Sequence, residues 1–316
     1  MVTVAEPHNA PDTRYETPGY GRVDYVYQIG KYEVSNAEYA EFLNAVAAMD
    51  DTHHLYNPWM DGGGEHDRDS GGIVQLDWDK DDKVNWLYTV RENRGNRPVT
   101  YVSFWSACRF ANWLHNGQPT GPQDLGTTED GAYFLGGVTE PPNDSISREA
   151  NWRWAVTSED EWYKAAYYDG GSGVYYDYPT GSNTPPTAEA PPGTDVANGS
   201  ANYLSGSHLD TEYYTTQCGA YNAKPSDSPY GTFDQGGNVW EFNETIIGRY
   251  RCLLGGGFSH SAYRMNASFR DNEGHPARGY DHVGFRVVRV PEPASITMLL
   301  AGAAGILACV PRKRRR

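Results

Sequence analysis

Clusters of glycine beside single large aromatic residues recur between residues 230 and 288. Three of them read Gly-Gly-Asn-Val-Trp-Glu at 236–241, Leu-Gly-Gly-Gly-Phe at 254–258 and Gly-Phe-Arg-Val-Val at 284–288. Glycine lets the backbone approach a ring closely and adopt positive φ angles that other residues avoid. The pattern predicts tightly wound loops on aromatic side chains. Such loops suit a metal or substrate site and equally a loop-rich core.

The composition favours a compact fold with much irregular structure. The 316 residues include 35 glycines, 20 prolines and 24 tyrosines, and long aliphatic runs are few. Such a chain is held by aromatic packing among loops rather than by a helical bundle or a regular sheet. Three segments with apolar residues at helical spacing follow the capping residues Ser35, Ser103 and Thr157, and they predict three helices.

The charge distribution excludes one class of partner. The formal net charge is −15 even though residues 312–316 are all basic, so the rest of the chain is more acidic still. An acidic surface repels phosphate backbones, and we therefore expect no nucleic-acid partner. The same surface is compatible with divalent cations and with simple solubility.

The glycine clusters and three earlier segments together resemble the formylglycine-generating enzyme (sulfatase-modifying factor) family. The earlier segments are YQIGKYEVSNAEY at 27–39, PVTYVSFWSA at 98–107 and WAVTSEDEWYKAA at 154–166. The resemblance covers residues 20–290, with residues 1–19 as an N-terminal lead. It implies a single mixed α+β domain with little regular secondary structure and a C-type-lectin-like fold.

The loop at residues 234–241, which includes the Gly-Gly-Asn-Val-Trp-Glu cluster, offers oxygen atoms at a spacing that suits a hard cation. The side chains of Asp234 and Glu241 flank the carbonyl groups of Gly237 and Val239, and calcium takes six to eight oxygen ligands. The resemblance implies calcium at these four positions, with Asp234 in place of the family's asparagine. The residues alone fit equally well two carboxylates that cap turns.

The resemblance implies a second calcium site further back in the chain. Its ligands are the side chain of Asn202 and the carbonyl group of Tyr203, with acids such as Asp210 or Glu212 following them. We expect calcium as the cofactor of this domain.

The catalytic cysteines of the family are replaced in this chain. Family enzymes oxidise a substrate cysteine through two cysteines five positions apart, whose thiolates bind copper(I) and link to the substrate. The corresponding positions here hold His260 and Met265. Imidazole and thioether groups both bind copper, but a surface histidine and a packing methionine are the ordinary interpretation. We therefore expect neither a copper site nor formylglycine-generating activity.

The remaining candidate ligands lack a metal-binding spacing. They are Cys108, Cys218, Cys252 and Cys309, and His53, His54 and His66 beside three aspartates in the segment 50–85. We interpret that segment as a solvated insertion loop, and a Cys218–Cys252 disulfide stays open for an oxidising compartment. Arg264, Arg270 and Arg286 either pair with carboxylates in the core or line a cleft for an anionic ligand.

Residues 291–316 form a tripartite tail. Pro291-Glu292-Pro293 precedes the uncharged segment 294–310, and the basic residues 312–316 follow. The apolar segment has the minimum length of a membrane span, and the basic cluster would stay cytoplasmic. The tail resembles the PEP-CTERM sorting signal of Gram-negative bacteria, which implies a hydrophobic sorting helix, an exosortase-type membrane protease acting at Pro291-Glu292-Pro293, and export.

The start of the sequence shows no matching export signal, because residues 1–14 lack a basic segment followed by an apolar one. A start codon placed too late is our explanation, and we still expect a location in the cell envelope or outside the cell. Three functions remain open. They are a non-catalytic, calcium-stabilised domain that binds a protein or glycan or has a structural role, a metal-dependent oxidoreductase with altered chemistry, and a lectin-like glycan-binding module.

Overall fold

Short regular elements alternate with long loops throughout residues 1–62, 69–77, 85–223 and 225–291, which the computed structural model describes. The helices are α1 Asn36–Val46, α2 Phe104–His115 and α3 Glu159–Tyr167. The strands are β1 Val2–Val4, β2 Tyr27–Ile29, β3 Ile73–Asp77, β4 Trp86–Val90, β5 Trp154–Val156, β6 Tyr168–Asp169, β7 Val174–Tyr175, β8 Thr187–Ala188, β9 Ser200–Ala201, β10 Trp240–Ile247, β11 Tyr250–Leu254, β12 Asp271–Gly274, β13 Val283–Phe285 and β14 Val287–Arg289. The expected mixed α+β domain with little regular structure is confirmed.

The predicted sorting helix at 294–310 lies outside the described residues. Within the described ranges, none of the helices has both the length and the apolar character that a membrane span requires.

Two four-stranded sheets carry the domain. One has the strand order β1-β2-β14-β5 and the other β12-β11-β10-β13. In the second sheet β10 runs parallel to β13, with Trp240 opposite Val283 and Glu241 opposite Gly284. Arg286 is the one residue between β13 and β14, so the chain passes from one sheet directly into the other.

Helix α1 forms as its sequence predicts. Ser35 and Glu38 make a reciprocal capping box at its N-terminus, which satisfies two backbone N–H groups that the helix leaves unpaired. Its apolar face is buried, and the ring of Phe42 packs edge-on against Phe110 of α2 with the ring centres 5.4 Å apart. The predicted buried residues Tyr39, Phe42, Leu43 and Val46 are all in the core.

Helix α3 begins one residue later than the sequence suggested. Its N-cap is Ser158 and not Thr157, because the Ser158 Oγ accepts from the backbone N–H of Glu161 at 3.2 Å. The Glu161 carboxylate accepts from the Ser158 backbone N–H at 2.7 Å in return. Only a residue three positions before Glu161 can make this box. The hydroxyl group of Thr157 is buried without a hydrogen-bond partner in the described structure.

The described part of segment 50–85 contains the 3₁₀ turn Pro58–Asp61 and strand β3, where we expected a solvated loop, and β4 follows directly after the segment. Strands β3 and β4 pair as an antiparallel hairpin whose inner residues Ile73 and Tyr88 are buried. The side chain of Asn44 in α1 bonds both the N–H and the carbonyl group of Tyr88, at 2.9 and 2.8 Å. The polar composition concealed a hairpin because its core-facing residues are few.

A buried ion pair lies where the two sheets meet. The Arg286 guanidinium donates to both carboxylate oxygens of Glu241 at 2.6 Å, and neither side chain is exposed. The indole N–H of Trp162 in α3 donates to the same carboxylate at 2.8 Å. Arg286 also donates to the carbonyl groups of Gly30 and Phe233. Arg286 therefore contributes to the core, as the structural alternative for these arginines predicted.

Replacing Glu241 by glutamine should destabilise the domain strongly, because the Arg286 charge would stay buried without its anion. We expect a loss of about 3–5 kcal/mol in the free energy of unfolding, measured by denaturant titration. The matched control is Asp271→Asn, which removes the partner of the partly exposed Arg264 at 3.3 Å and should cost less than about 1 kcal/mol. Equal losses in the two variants would contradict the central role of the buried pair.

The neighbouring residues Ser158 and Thr157 provide a second test. Ser158→Ala should lower the free energy of unfolding by about 1 kcal/mol, since it removes the N-cap acceptor. Thr157→Val keeps the shape and removes a buried hydroxyl group that has no described partner, so it should leave stability unchanged or higher. A larger loss for Thr157→Val than for Ser158→Ala would show that Thr157 is the functional cap.

Candidate functional site

A cavity of about 740 Å³ opens beside strands β10, β11 and β12; we call it the His260 cavity. Its wall combines aromatic, imidazole, cationic and acidic side chains: Trp240, Arg249, Tyr250, Leu253, His260, Asp271, Asn272, Glu273, His275, Arg278, Tyr280, His282 and Val283. The wall therefore includes His260, which the resemblance puts at the first cysteine position of the family. It contains no thiol among the described residues.

His260 is held against the first residue of β10. Its Nδ1 atom lies 3.1 Å from the indole Nε1 of Trp240 and 3.1 Å from the hydroxyl group of Ser259. An indole N–H can only donate, so Nδ1 accepts this hydrogen bond. Neutral His260 accordingly carries its proton on Nε2.

His282 forms a side-chain pair with its neighbour Asp281. The Asp281 carboxylate, whose side chain is 3% exposed, bonds the His282 Nδ1 atom, and the His282 side chain is 23% exposed. The His282 ring contacts the rings of His260 and Tyr280, with centroid distances of 5.2 and 5.9 Å. The backbone N–H of Trp240 donates to the His282 carbonyl group at 2.9 Å, which fixes this segment against β10.

Sequence reasoning missed Asp281 and His282. Adjacent aspartate and histidine residues carry no diagnostic spacing, and helical or strand periodicity does not single them out. Their one signal is their place immediately before the Gly-Phe-Arg-Val-Val landmark at 284–288.

Met265, at the second cysteine position, does not reach the cavity. It ends a 3₁₀ turn, Ala262–Met265, and is fully buried in a cluster with Tyr178, Ala201 and Tyr203. Its carbonyl group accepts from the Tyr167 hydroxyl group at 3.0 Å. The structure thus places the His260 imidazole in the cavity wall and the Met265 thioether in the core.

The predicted calcium loop closes on the segment that contains Asn202. The backbone N–H of Asn238 donates to the Asn202 carbonyl group at 2.8 Å. Gly237 has a φ of +87°, and a Cβ atom there would lie 2.5 Å from the Asn202 carbonyl oxygen, so this approach requires glycine. The Asp234 carboxylate accepts from the Gly219 backbone N–H at 2.6 Å. The structure therefore brings Gly237 against Asn202, whereas Asp234 contacts Gly219.

Other predicted ligands have different neighbours. Val239 is buried immediately before β10, and the Tyr203 hydroxyl group donates to the Pro186 carbonyl group at 2.8 Å. Both oxygens of Glu241 accept from Arg286, and a carboxylate bonded in this way does not fit a calcium ligand. We derive no step of chemistry from a metal at Glu241.

A different carboxyl group lies near Asp234. Glu33 is buried, and its Oε2 atom has no hydrogen-bond partner in the described structure. Burial, and then the negative charge of Asp234, raise the pKa of Glu33 well above its ordinary value. Burial also raises the pKa of Asp234 to about 6. Two neighbouring buried carboxyl groups with an unused oxygen fit a cation better than the Glu241 carboxylate does.

The described cysteines are free and buried. Cys218 and Cys252 do not form the disulfide that the sequence left open, and Cys309 lies outside the described residues. Burial raises the pKa of the Cys252 thiol to about 12, and it raises those of Cys108 and Cys218 as well. Thiols held in the neutral form are poor nucleophiles and poor ligands for copper.

The histidines of segment 50–85 do not gather into a metal centre in what the structure describes. The His53 ring is buried beside Glu129, with its Nε2 atom 3.5 Å from that carboxylate, and burial lowers the pKa of His53. His66 and Asp67 lie outside the described residues. No group of three histidine, cysteine, aspartate or glutamate side chains with metal-binding geometry occurs in the described ranges.

Comparison with known proteins identifies the family of this chain. The sulfatase-modifying factor enzyme 1-like domain matches residues 9–291. Hercynine oxygenase of Mycolicibacterium smegmatis is 24% identical over 308 residues, which cover 90% of this chain and 57% of that protein. The chain thus spans little more than half the length of this relative.

Two solved structures share the fold. The crystal structure of CarF aligns with a TM-score of 0.54 and 18% identity, covering 92% of this chain and 98% of that one. Treponema denticola variable protein 1 aligns with a TM-score of 0.52 and 19% identity, covering 92% and 95%. Because the family's domain matches nearly all of the described chain, this protein belongs to the sulfatase-modifying factor enzyme 1-like family.

Proposed function

We propose that this chain binds a small polar ligand in the His260 cavity and lacks the thiol-dependent oxidation of formylglycine-generating enzymes. The proposal is supported by the His260 imidazole in the cavity wall and the buried Met265 thioether, because the resemblance puts these two residues at the cysteine positions of the family. Neither group forms a mixed disulfide with a substrate thiol. The described thiols are buried elsewhere, with raised pKa values. The fold alone would not decide between these activities.

The oxidation assay tests the negative half of this proposal. The protein is incubated with a cysteine-containing peptide, copper(I) and oxygen, while oxygen uptake is recorded and the peptide is analysed by mass spectrometry. We expect no aldehyde product. Aldehyde formation would contradict the proposal, and serine variants of Cys108, Cys218 and Cys252 would then identify the thiol responsible.

A thermal-shift screen of small polar compounds tests the positive half. A compound that binds only the folded state at 100 times its dissociation constant adds about 2.7 kcal/mol of stability. We expect such compounds to raise the melting temperature of the wild type and to lose this effect in Asn272→Trp, which fills the cavity from an exposed wall position. Compounds that stabilise both proteins equally would place binding elsewhere.

A second candidate function is a metal-dependent oxidoreductase with altered chemistry. Its support is the resemblance to a relative named for an oxygenase and the presence of two histidines, His260 and His282, in one cavity wall. Iron or copper that copurifies with the protein and is lost in His260→Ala would favour this candidate over the first.

We also propose calcium as a stabilising ion beside Asp234, on the oxygen spacing of the loop and the unused oxygen of Glu33. Calcium should be found by elemental analysis, and EDTA should lower the melting temperature. Asp234→Ala and Glu33→Gln should remove this response, whereas the exposed-loop control Asp195→Asn should keep it. A melting temperature insensitive to EDTA would show that protein contacts alone hold the loop.

Finally, we propose that the tail at 291–316 directs export and processing. The support is its Pro-Glu-Pro, apolar and basic sequence pattern. Mass spectrometry of the protein from envelope and cytoplasmic fractions tests this. Cleavage near Pro291-Glu292-Pro293 in the envelope fraction is the expected result, and an intact cytoplasmic chain would contradict it.

A further inference from the structure

The Asp281–His282 pair has the arrangement of a histidine prepared to accept a proton. An ionised carboxylate only accepts hydrogen bonds. The Nδ1 atom of neutral His282 therefore carries the ring proton and donates it to the buried Asp281 carboxylate. The lone pair is then on Nε2. A carboxylate in this position also stabilises the imidazolium that forms when Nε2 takes up a proton.

The surroundings hold this ring in one place and leave it in contact with the cavity. The rings of His260 and Tyr280 both contact it, and its carbonyl group accepts from the Trp240 N–H. The His282 side chain is nonetheless 23% exposed and lines the cavity. A base that is both oriented and accessible meets the geometric requirement for general base catalysis.

The charges of the wall indicate the class of ligand. The guanidinium groups of Arg249 and Arg278 line the cavity, and neither has a carboxylate partner within the described residues. The Asp271 carboxylate in the same wall is bonded to Arg264, which leaves Glu273 as an opposing charge. A ligand with a carboxylate would pair with the arginines by charge-assisted hydrogen bonds.

We propose that His282 is a general base that removes a proton from a C–H bond next to the carbonyl group of a small organic acid. The proton moves to His282 Nε2, and the electron pair of the C–H bond stays on the ligand as an enolate. The positive charges of Arg249 and Arg278 stabilise that anion. Asp281 is a positioning residue that fixes the tautomer. This goes beyond ligand binding, which could occur without any proton transfer.

The probe is 5-nitrobenzisoxazole, a planar molecule that reports on positioned bases. A base removes its C–H proton while the N–O bond breaks, and a coloured cyanophenolate is released without any oxidant. We expect saturable release by the wild-type protein above the buffer rate. His282→Gln should lower kcat/KM by at least about 100-fold, the lower end of general-base contributions. The absence of saturable release by the wild type, or an unchanged rate in His282→Gln, would overturn the proposal.

The matched control is His8→Gln, because His8 also pairs with an aspartate, Asp24 at 3.1 Å, but lies exposed outside the cavity. Its rate should equal that of the wild type, and circular dichroism should show that both variants are folded. For Asp281, the readout is the tautomer of His282 from imidazole ¹⁵N chemical shifts. Asp281→Asn should lower kcat with little change in KM and alter the tautomer populations, and an unaltered tautomer would contradict the positioning role.

The two proposals can fail separately. Compounds that stabilise the wild type and His282→Gln equally, but not Asn272→Trp, would support ligand binding in the cavity without a role for His282 in holding them. Loss of the elimination rate in His282→Gln would then still establish the base. An elimination rate unchanged in both variants would locate any reactivity outside the cavity and overturn the inference about His282.

Discussion

The ion pair between Arg286 and Glu241 determines how the two sheets of this domain are joined. It lies fully buried at the point where β13 passes into β14, and it also binds Trp162 of α3 and the carbonyl groups of Gly30 and Phe233. Removing two charges from water costs several kcal/mol, and their mutual attraction offsets this cost only with good geometry and additional hydrogen bonds. Here the Trp162 N–H group bonds the carboxylate and two backbone carbonyl groups bond the guanidinium, and all of these groups come from distant parts of the chain.

The cavity depends on the same strand pairing. Side chains alternate between the two faces of a strand, so Glu241 pairs with Arg286 in the core while its neighbour Trp240 contacts His260 and lines the cavity. The parallel register sets Trp240 opposite Val283, and this brings His282 next to Trp240, the first residue of β10. A substitution in the Arg286–Glu241 pair would therefore also shift the cavity wall, because Glu241 and the wall residue Trp240 are neighbours on one strand.

The fold and the family were predictable from the sequence to a large extent. The capping boxes, the helical spacing and the glycine landmarks are local signals, and they predicted three helices in a loop-rich α+β domain. The errors were also local: the cap at Thr157 was one residue early, and the pairing of β3 with β4, which begins inside segment 50–85 and ends beyond it, was concealed by polar composition. Neither required a different fold, because burial of the aromatic residues constrains the chain more than any one cap does.

What the sequence alone determined is the family and the helices, since both depend on residue identity at fixed spacing. Tertiary structure decided the use of each side chain. Glu241, which the resemblance assigned to a cation, is bonded to an arginine 45 positions away. Met265 is in the core, and His282 is oriented by its buried neighbour Asp281 and by contact with the ring of His260, 22 positions earlier in the chain. Long-range contacts of this kind leave no periodic trace in a single sequence, because they depend on how loops cross in space.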